Sequence, residues 1–476
     1  MVKSQMRRDK WVSLIIILSM VLLAVGCSKP AAEPAITEKP PIEETPAATA
    51  AATEEPPKEP VEITIWDKPI GNENDPALKF VKEAFADFEA KYPHIKVNHE
   101  AIPTGETERQ VFVTAMAGGS GPDAYSFAHF PVIGEWVKQG LVLDLTPYWN
   151  EYADKDQYTP AVMGEATIDG KIYGLPHHMY VMGLAYRKHL FTEAGLDPNK
   201  PPATWDEFVD YAKKLTKPEQ NQVGYALLGM EWADWFFEYY VWQAGGDLTT
   251  KNADGTVTLN FTSEPVVKAL QYWKDLKWTH KVVQKNVVQG YAENHNDFFN
   301  NRAAMILFPS DAAIAVVQNG IELTDIGFAP FPAGPAGKNP SQVGGSYWII
   351  NPQTSKAKQD AAWLYITYML SKEMQEKSLL FTRDSGQIPN ILSIRKDVDP
   401  SQFITKIPKD LVNGVAKAAE NVQLEYFLKE RLGTYITKAI QKVLLDEKAD
   451  IRAELQAAQD LAQREVADPY NQDIKK

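Results

Sequence analysis

The stretch Lys171–Leu196, KIYGLPHHMYVMGLAYRKHLFTEAGL, constrains the fold more than any other part of the chain. Tyr173-Gly174-Leu175-Pro176 reads as a turn, because glycine admits positive φ and proline fixes the next φ. His177–Tyr186 is β-branched, aromatic and almost uncharged, which predicts a buried strand. Arg187 then opens a short helix that Gly195 stops. A buried strand entered through a stiff turn, with two histidines and a tyrosine at its mouth, can pass between lobes. The same run also fits an ordinary core strand whose histidines are satisfied internally.

A chain of 476 residues exceeds one ordinary core, so two lobes are expected, and a hydrophobic content of 44 % is that of a folded protein. The net charge of −13 argues against a nucleic-acid partner and against a polybasic membrane-surface role. Residues 1–27 read as a signal peptide: Lys3, Arg7, Arg8 and Lys10 precede the apolar run Trp11–Val25. A membrane span needs about 20 apolar residues, more than this run provides. It ends Leu23-Ala24-Val25-Gly26-Cys27, which resembles a lipobox with Cys27, the only cysteine, as the lipid anchor. Residues 28–60 are Pro, Ala, Glu and Thr-rich without an aromatic, which predicts a disordered tether.

The alternating run Val61–Trp66 begins the folded part, followed by a helix over Leu78–Tyr92, a strand over Ile95–His99 and a helix over Glu108–Ala117. That alternation predicts a parallel α/β sheet, whose ligands bind beyond the carboxyl ends of its strands, where Trp66 and Asp67 stand. Gly118–Pro122 lacks the Lys-Ser/Thr of a P-loop. Thr204 and Glu207 form a capping box, with Trp205 packing behind it. Gly224–Met230 reads as a strand leading into a dense aromatic run, where Trp232 and Trp235 are candidate stacking rings and the other aromatics core. Ile436, Ile440, Val443 and Leu444 share one helical face and read as core. Neither HExxH nor GxSxG occurs, and adjacent His177 and His178 point to opposite faces of a strand, so neither a metal nor a cofactor is expected. Asn72-Glu73-Asn74-Asp75 fits either a solvated loop or a calcium loop.

YGLP, a hydrophobic strand, LAYRKHLFTEAGL and PPATWDEF together resemble the signature of the bacterial extracellular solute-binding proteins of family 1, the maltose-binding-protein-like receptors of ABC sugar importers. The likeness runs from Val61 to about Val466; Arg187 stands where the family usually has Asn. It implies a two-lobed periplasmic-binding-protein-like α/β fold (type II), with the cleft between lobes joined by crossing strands. Residues 61–178 plus about 343–388 would form the N-terminal lobe, and 179–342 plus about 389–476 the C-terminal lobe. Further crossings fall at Gly344–Ile350 and at Gly386–Pro389. Beside Trp66 and Asp67, the resemblance nominates Phe127, His178, Tyr180, Trp232, Trp235, Asp311 and Ser346 as ligand contacts. Tyr180 matches a sugar-contacting carboxylate, Asp311 replaces a stacking ring, and Phe130-Pro131 replaces an acid–base pair that bonds maltose. The implied partners are a sugar or oligosaccharide and the ABC permease subunits. The implied state is a monomer held on the outer face of the cytoplasmic membrane by its N-terminal lipid alone, without catalysis. A surface lipoprotein acting on carbohydrate, or a sensor partner without a transport role, are the alternatives.

Overall fold

The computed structural model describes residues 59–67, 76–101, 106–129, 132–230, 232–385, 390–403 and 407–475. Cys27, the tether up to residue 58, residues 72–75, Phe130, Pro131 and residues 386–389 lie outside the described residues. Eight strands make the main sheet: β1 (Val61–Asp67), β2 (Ile95–Ala101), β3 (Ala124–His129), β4 (Leu175–Arg187), β5 (Val223–Ala226), β6 (Ala303–Pro309), β7 (Ile326–Ala329) and β8 (Val343–Ile350). Their order is β2-β1-β3-β8-β4-β6-β5, with β7 also on β4. β1 pairs in parallel with β2 and β3, as the alternation with helices α1 (Pro76–Lys91) and α2 (Glu106–Ala117) requires.

The thirteen residues of β4 hold two sets of partners. Leu175 to Val181 pair with β8, whereas Met182 to Arg187 pair with β6 and β7. The strand starts at Leu175, earlier than the turn reading placed it, and includes Pro176. The β8 register slips between Ser346 and Tyr347, opposite that proline, and the bulge absorbs the ladder bond its missing N–H cannot make. Arg187 ends the strand instead of opening the helix, which is α4 (Lys188–Glu193). Its guanidinium is buried, with Nε donating to Asp325 at 2.9 Å and Nη1 to the Phe298 carbonyl at 3.1 Å. An asparagine could not span both.

Two apolar clusters pack around this sheet. One gathers Ile63, Phe88, Tyr125, Trp348 and Tyr365; the other gathers Phe208, Trp242, Trp273, Ile436 and Leu455. Helix α11 (Lys429–Leu445) buries Ile436, Ile440, Val443 and Leu444, the face its periodicity set apart. Strand β5 stops at Ala226, short of the expected Met230, because Gln284 takes over the Leu227 backbone: its Oε1 accepts the Leu227 N–H at 3.0 Å. At the start of α5 (Trp205–Leu215), Thr204 caps the Glu207 N–H at 3.2 Å. Glu207 reaches back to the Ala203 N–H at 2.8 Å, one residue before the expected partner. Trp205 stacks on Tyr272 at 4.0 Å, so it packs as expected.

Gly345, beside the partner switch, has φ +148°, and a Cβ there would lie 2.0 Å from the His178 carbonyl oxygen. Gly345→Ala should therefore destabilise the fold by at least about 2 kcal/mol in urea titration. Gly134→Ala, whose nearest neighbour atom would be 4.0 Å away, should be neutral or better. Equal stability of the two variants would contradict this packing.

Candidate ligand-binding site

The sheet register sets His129, Ser346 and His178 side by side across β3, β8 and β4. His178 Nε2 lies 3.1 Å from Asp311 Oδ2, just past the end of β6, and both side chains stay open to solvent, 47 % and 26 % exposed. His177, the extra residue of the bulge opposite Ser346 and Tyr347, turns to the side of Met179 and Trp348. Its Nδ1 lies 3.3 Å from Ser346 Oγ, and its ring meets Trp348 edge-on at 4.9 Å. Neighbouring histidines thus serve opposite faces.

Tyr180 stands on the His178 face, half-buried, and meets Trp235 edge-on at 6.4 Å. Trp235 in turn meets Trp232 at 6.5 Å, and Trp232 meets Tyr291 at 5.1 Å. Trp232 is 51 % exposed and is held at φ +59° as the N-cap of α6 (Ala233–Gln243). A left-handed backbone at a bulky residue is strained, and such strain gathers at functional sites. The remaining aromatics of α6, Phe236, Phe237, Tyr239, Tyr240 and Trp242, are core.

Beneath these rings lies a polar interior that the sequence did not disclose. Glu165, Glu238 and Glu425 are all buried. Gln342 Oε1 accepts from Trp235 Nε1 and, at 2.8 Å, from the Tyr239 hydroxyl, while its Nε2 donates to Glu165 at 3.4 Å. Lys429 Nζ donates to Glu425 Oε1 at 2.8 Å and sits 5.0 Å above the Trp235 ring. The Tyr426 hydroxyl donates to Asp234 at 2.6 Å. Glu165 Oε2, Glu425 Oε2 and both Glu238 oxygens have no partner. Burial, reinforced by the nearby Glu425, holds Glu165 and Glu238 well above the usual carboxylate range. Burial works against the Lys429 charge, yet Glu425, Asp234 and Glu238 around it raise its pKa. These acids come from three distant segments, and only Glu425 and Lys429, four apart on a helical spacing, left any sequence signal.

The nominated residues divide accordingly. His178, Tyr180, Trp232, Trp235 and Asp311 form one connected group. Phe127 joins it at one remove, edge-on to His129 at 4.2 Å, whose Nδ1 lies 3.1 Å from the Gly345 carbonyl. Ser346 is 1 % exposed and engaged with His177. Trp66 and Asp67 part company: Trp66 Nε1 donates to Glu100 at 2.8 Å, whereas Asp67 accepts from Ser126 and lies 3.9 Å from His99 Nε2.

Residues 71–376 match the family of bacterial extracellular solute-binding proteins. The sn-glycerol-3-phosphate-binding periplasmic protein of Brucella melitensis is 26 % identical over 262 residues, covering 54 % of this chain and 58 % of its own. The maltose-bound MalE3 structure of T. maritima superposes with a TM-score of 0.66 at 25 % identity, over 85 % of this chain and 99 % of that one. The GacH receptor of Streptomyces glaucescens, solved unliganded and with acarbose, gives 0.68 at 23 % identity, over 87 % and 100 %. The fold is thus the two-lobed α/β architecture of periplasmic binding proteins. The chain belongs to the bacterial extracellular solute-binding protein family, and its task is to bind a solute.

The buried acids set a pH test. A glutamate is unperturbed near pKa 4.3 when unfolded, and Glu238 is raised when folded. Its contribution to stability is complete below about pH 4 and is lost as the pH climbs toward the raised value. Glu238→Gln should match the parent at pH 4 and melt at least about 2 °C higher at pH 8. A lower melting temperature at pH 8 would show a charged Glu238 paired with Lys429.

Proposed function

We propose that the protein captures a sugar or oligosaccharide between its lobes and delivers it to the permease of an ABC importer. The observation that carries this reading is the run of rings Tyr180, Trp235 and Trp232 beside the His178–Asp311 pair. Sugar rings offer apolar C–H faces to aromatic side chains, and their hydroxyls need acceptors and donors held at fixed positions. Glu425 and Asp234 already engage the Lys429 ammonium, so it is not free to hold a phosphate ester, while the buried Glu165 and Glu238 suit hydroxyls. The relative named for glycerol-3-phosphate therefore does not supply the ligand class. Binding, not catalysis, is the role, in keeping with the solute-binding family that residues 71–376 match.

The lobes would be those delimited above, 61–178 with about 343–388 against 179–342 with about 389–476, apart from one change. Residues 390–398 add to the first lobe, where Arg395 holds Asp154 at 3.0 Å. A ligand touching both lobes binds the closed state better and shifts the population toward it. Cys27, acylated, would hold the protein at the membrane's outer face, and residues 28–60 would give the monomer reach.

A thermal-shift screen of mono- and oligosaccharides should find ligands that raise the melting temperature. Tyr180→Ala should weaken the best of them tenfold to a hundredfold, about 1–3 kcal/mol, with little change in the unliganded melting temperature. Met179→Ala, at a fully buried position, should instead lower stability and spare affinity. Stabilisation by glycerol-3-phosphate and by no saccharide would overturn the sugar reading.

A further inference from the structure

Behind β4, on the side that His177 and Met179 face, lies a cavity of about 300 Å³. Met179 and Trp348 form its sheet wall, Met369 of α9 (Lys356–Met369) and Met374 and Phe381 of α10 (Lys372–Asp384) its roof. Tyr180 and His178 are not among its walls, because alternate side chains leave a strand on opposite faces. It is therefore separate from the ring-lined group described above.

Protein interiors are packed as tightly as molecular crystals, and a space of this size between side chains interrupts that packing. The roof helix shows the same deficit. α10 carries Met374, Leu379, Leu380 and Phe381 yet buries Met374 alone, and an ion pair from Lys377 to Asp87 holds it in place. Three methionines in one lining give a surface that adapts to varied shapes.

Several polar side chains of the wall are already engaged. Asp67 accepts from Ser126, Asn390 donates to the Met179 carbonyl, Gln375 donates to the Met369 carbonyl at 3.0 Å, and Thr382 donates to the Ser378 carbonyl at 2.8 Å. Trp348 differs: it is 2 % exposed, and its indole N–H has no acceptor. A buried donor left unpaired costs the desolvation of that group, so an occupant that supplies an acceptor recovers it.

We propose that this cavity is a second binding site, for a small uncharged molecule with an aromatic or alicyclic body and one hydrogen-bond acceptor, received by Trp348 Nε1. The volume stands at the lower end of the range for small-molecule pockets and holds one or two rings. Among the described residues its lining holds His177 but no lysine or arginine, and its one carboxylate, Asp67, repels anions. This assignment does not depend on the identity of the solute held by Tyr180 and Trp235.

Acetophenone, an uncharged ring with a single carbonyl acceptor, is the probe. In the intact protein with methyl-labelled methionines, it should shift the Met179, Met369 and Met374 signals saturably and leave the exposed Met230 signal unmoved. Ser378→Trp, which fills the cavity, should abolish those shifts. Trp348→Phe, which removes the donor, should weaken binding at least fivefold, and Tyr180→Ala should leave it unchanged. Should Ser378→Trp fail to fold, contacts between the probe ring and the three methyl groups in the parent protein decide the question directly. The proposal is overturned if the methyl signals do not titrate, if a saccharide displaces the probe, or if Trp348→Phe binds it as tightly as the parent.

Discussion

Backbone hydrogen bonding along β4 passes from β8 to β6 and β7 between Val181 and Met182, and the placement of the site follows from that exchange. A strand that keeps its pleat across the exchange fixes the direction of every side chain on both sides of it. His178 and Tyr180 must share one face, and His177 and Met179 the other. The first pair reaches the acid and rings supplied by β6 and α6; the second reaches the packed interior and the cavity under α10. Gly345, with its positive φ, lets β8 approach His178 closely enough to make the ladder continuous.

The polar interior under the rings gives the site its chemical character. Unpartnered oxygens on Glu165, Glu238 and Glu425 are expensive to bury, and protonation is how a protein lowers that cost. Protonated, Glu165 and Glu238 can donate as well as accept. That versatility suits a ligand whose hydroxyls do both. Lys429 supplies the compensating charge, and its place over the Trp235 ring ties the acids to the aromatic group through a cation–π contact.

Much of this was legible in the sequence, and the exceptions have physical causes. β4, α1 and the buried face of α11 show in periodicity because each is long and one-sided. Pro176 misled the boundary, since the bulge beside it, with His177 as the extra residue facing Ser346 and Tyr347 of β8, shows only once the two strands pair. Trp66 and Asp67 were grouped by adjacency, but adjacent strand residues part to opposite faces. His178, Tyr180, Trp232, Trp235 and Asp311 were found through family likeness and the stacking chemistry of aromatics, and they do gather. Glu165, Glu238 and Glu425 could not be found that way, because isolated glutamates read as surface until tertiary contacts bury them. The cavity was equally invisible: it is a failure of α10 to fill space, and no local pattern encodes a void.

The most direct test is a crystal structure of the protein with the saccharide that stabilises it most. The account predicts the sugar stacked on Trp232 or Trp235, in contact with Tyr180, with hydroxyls bonded to His178 or Asp311. A saccharide seated instead against His177, Met179 and Asp67, with Tyr180 and Trp235 untouched, would contradict it.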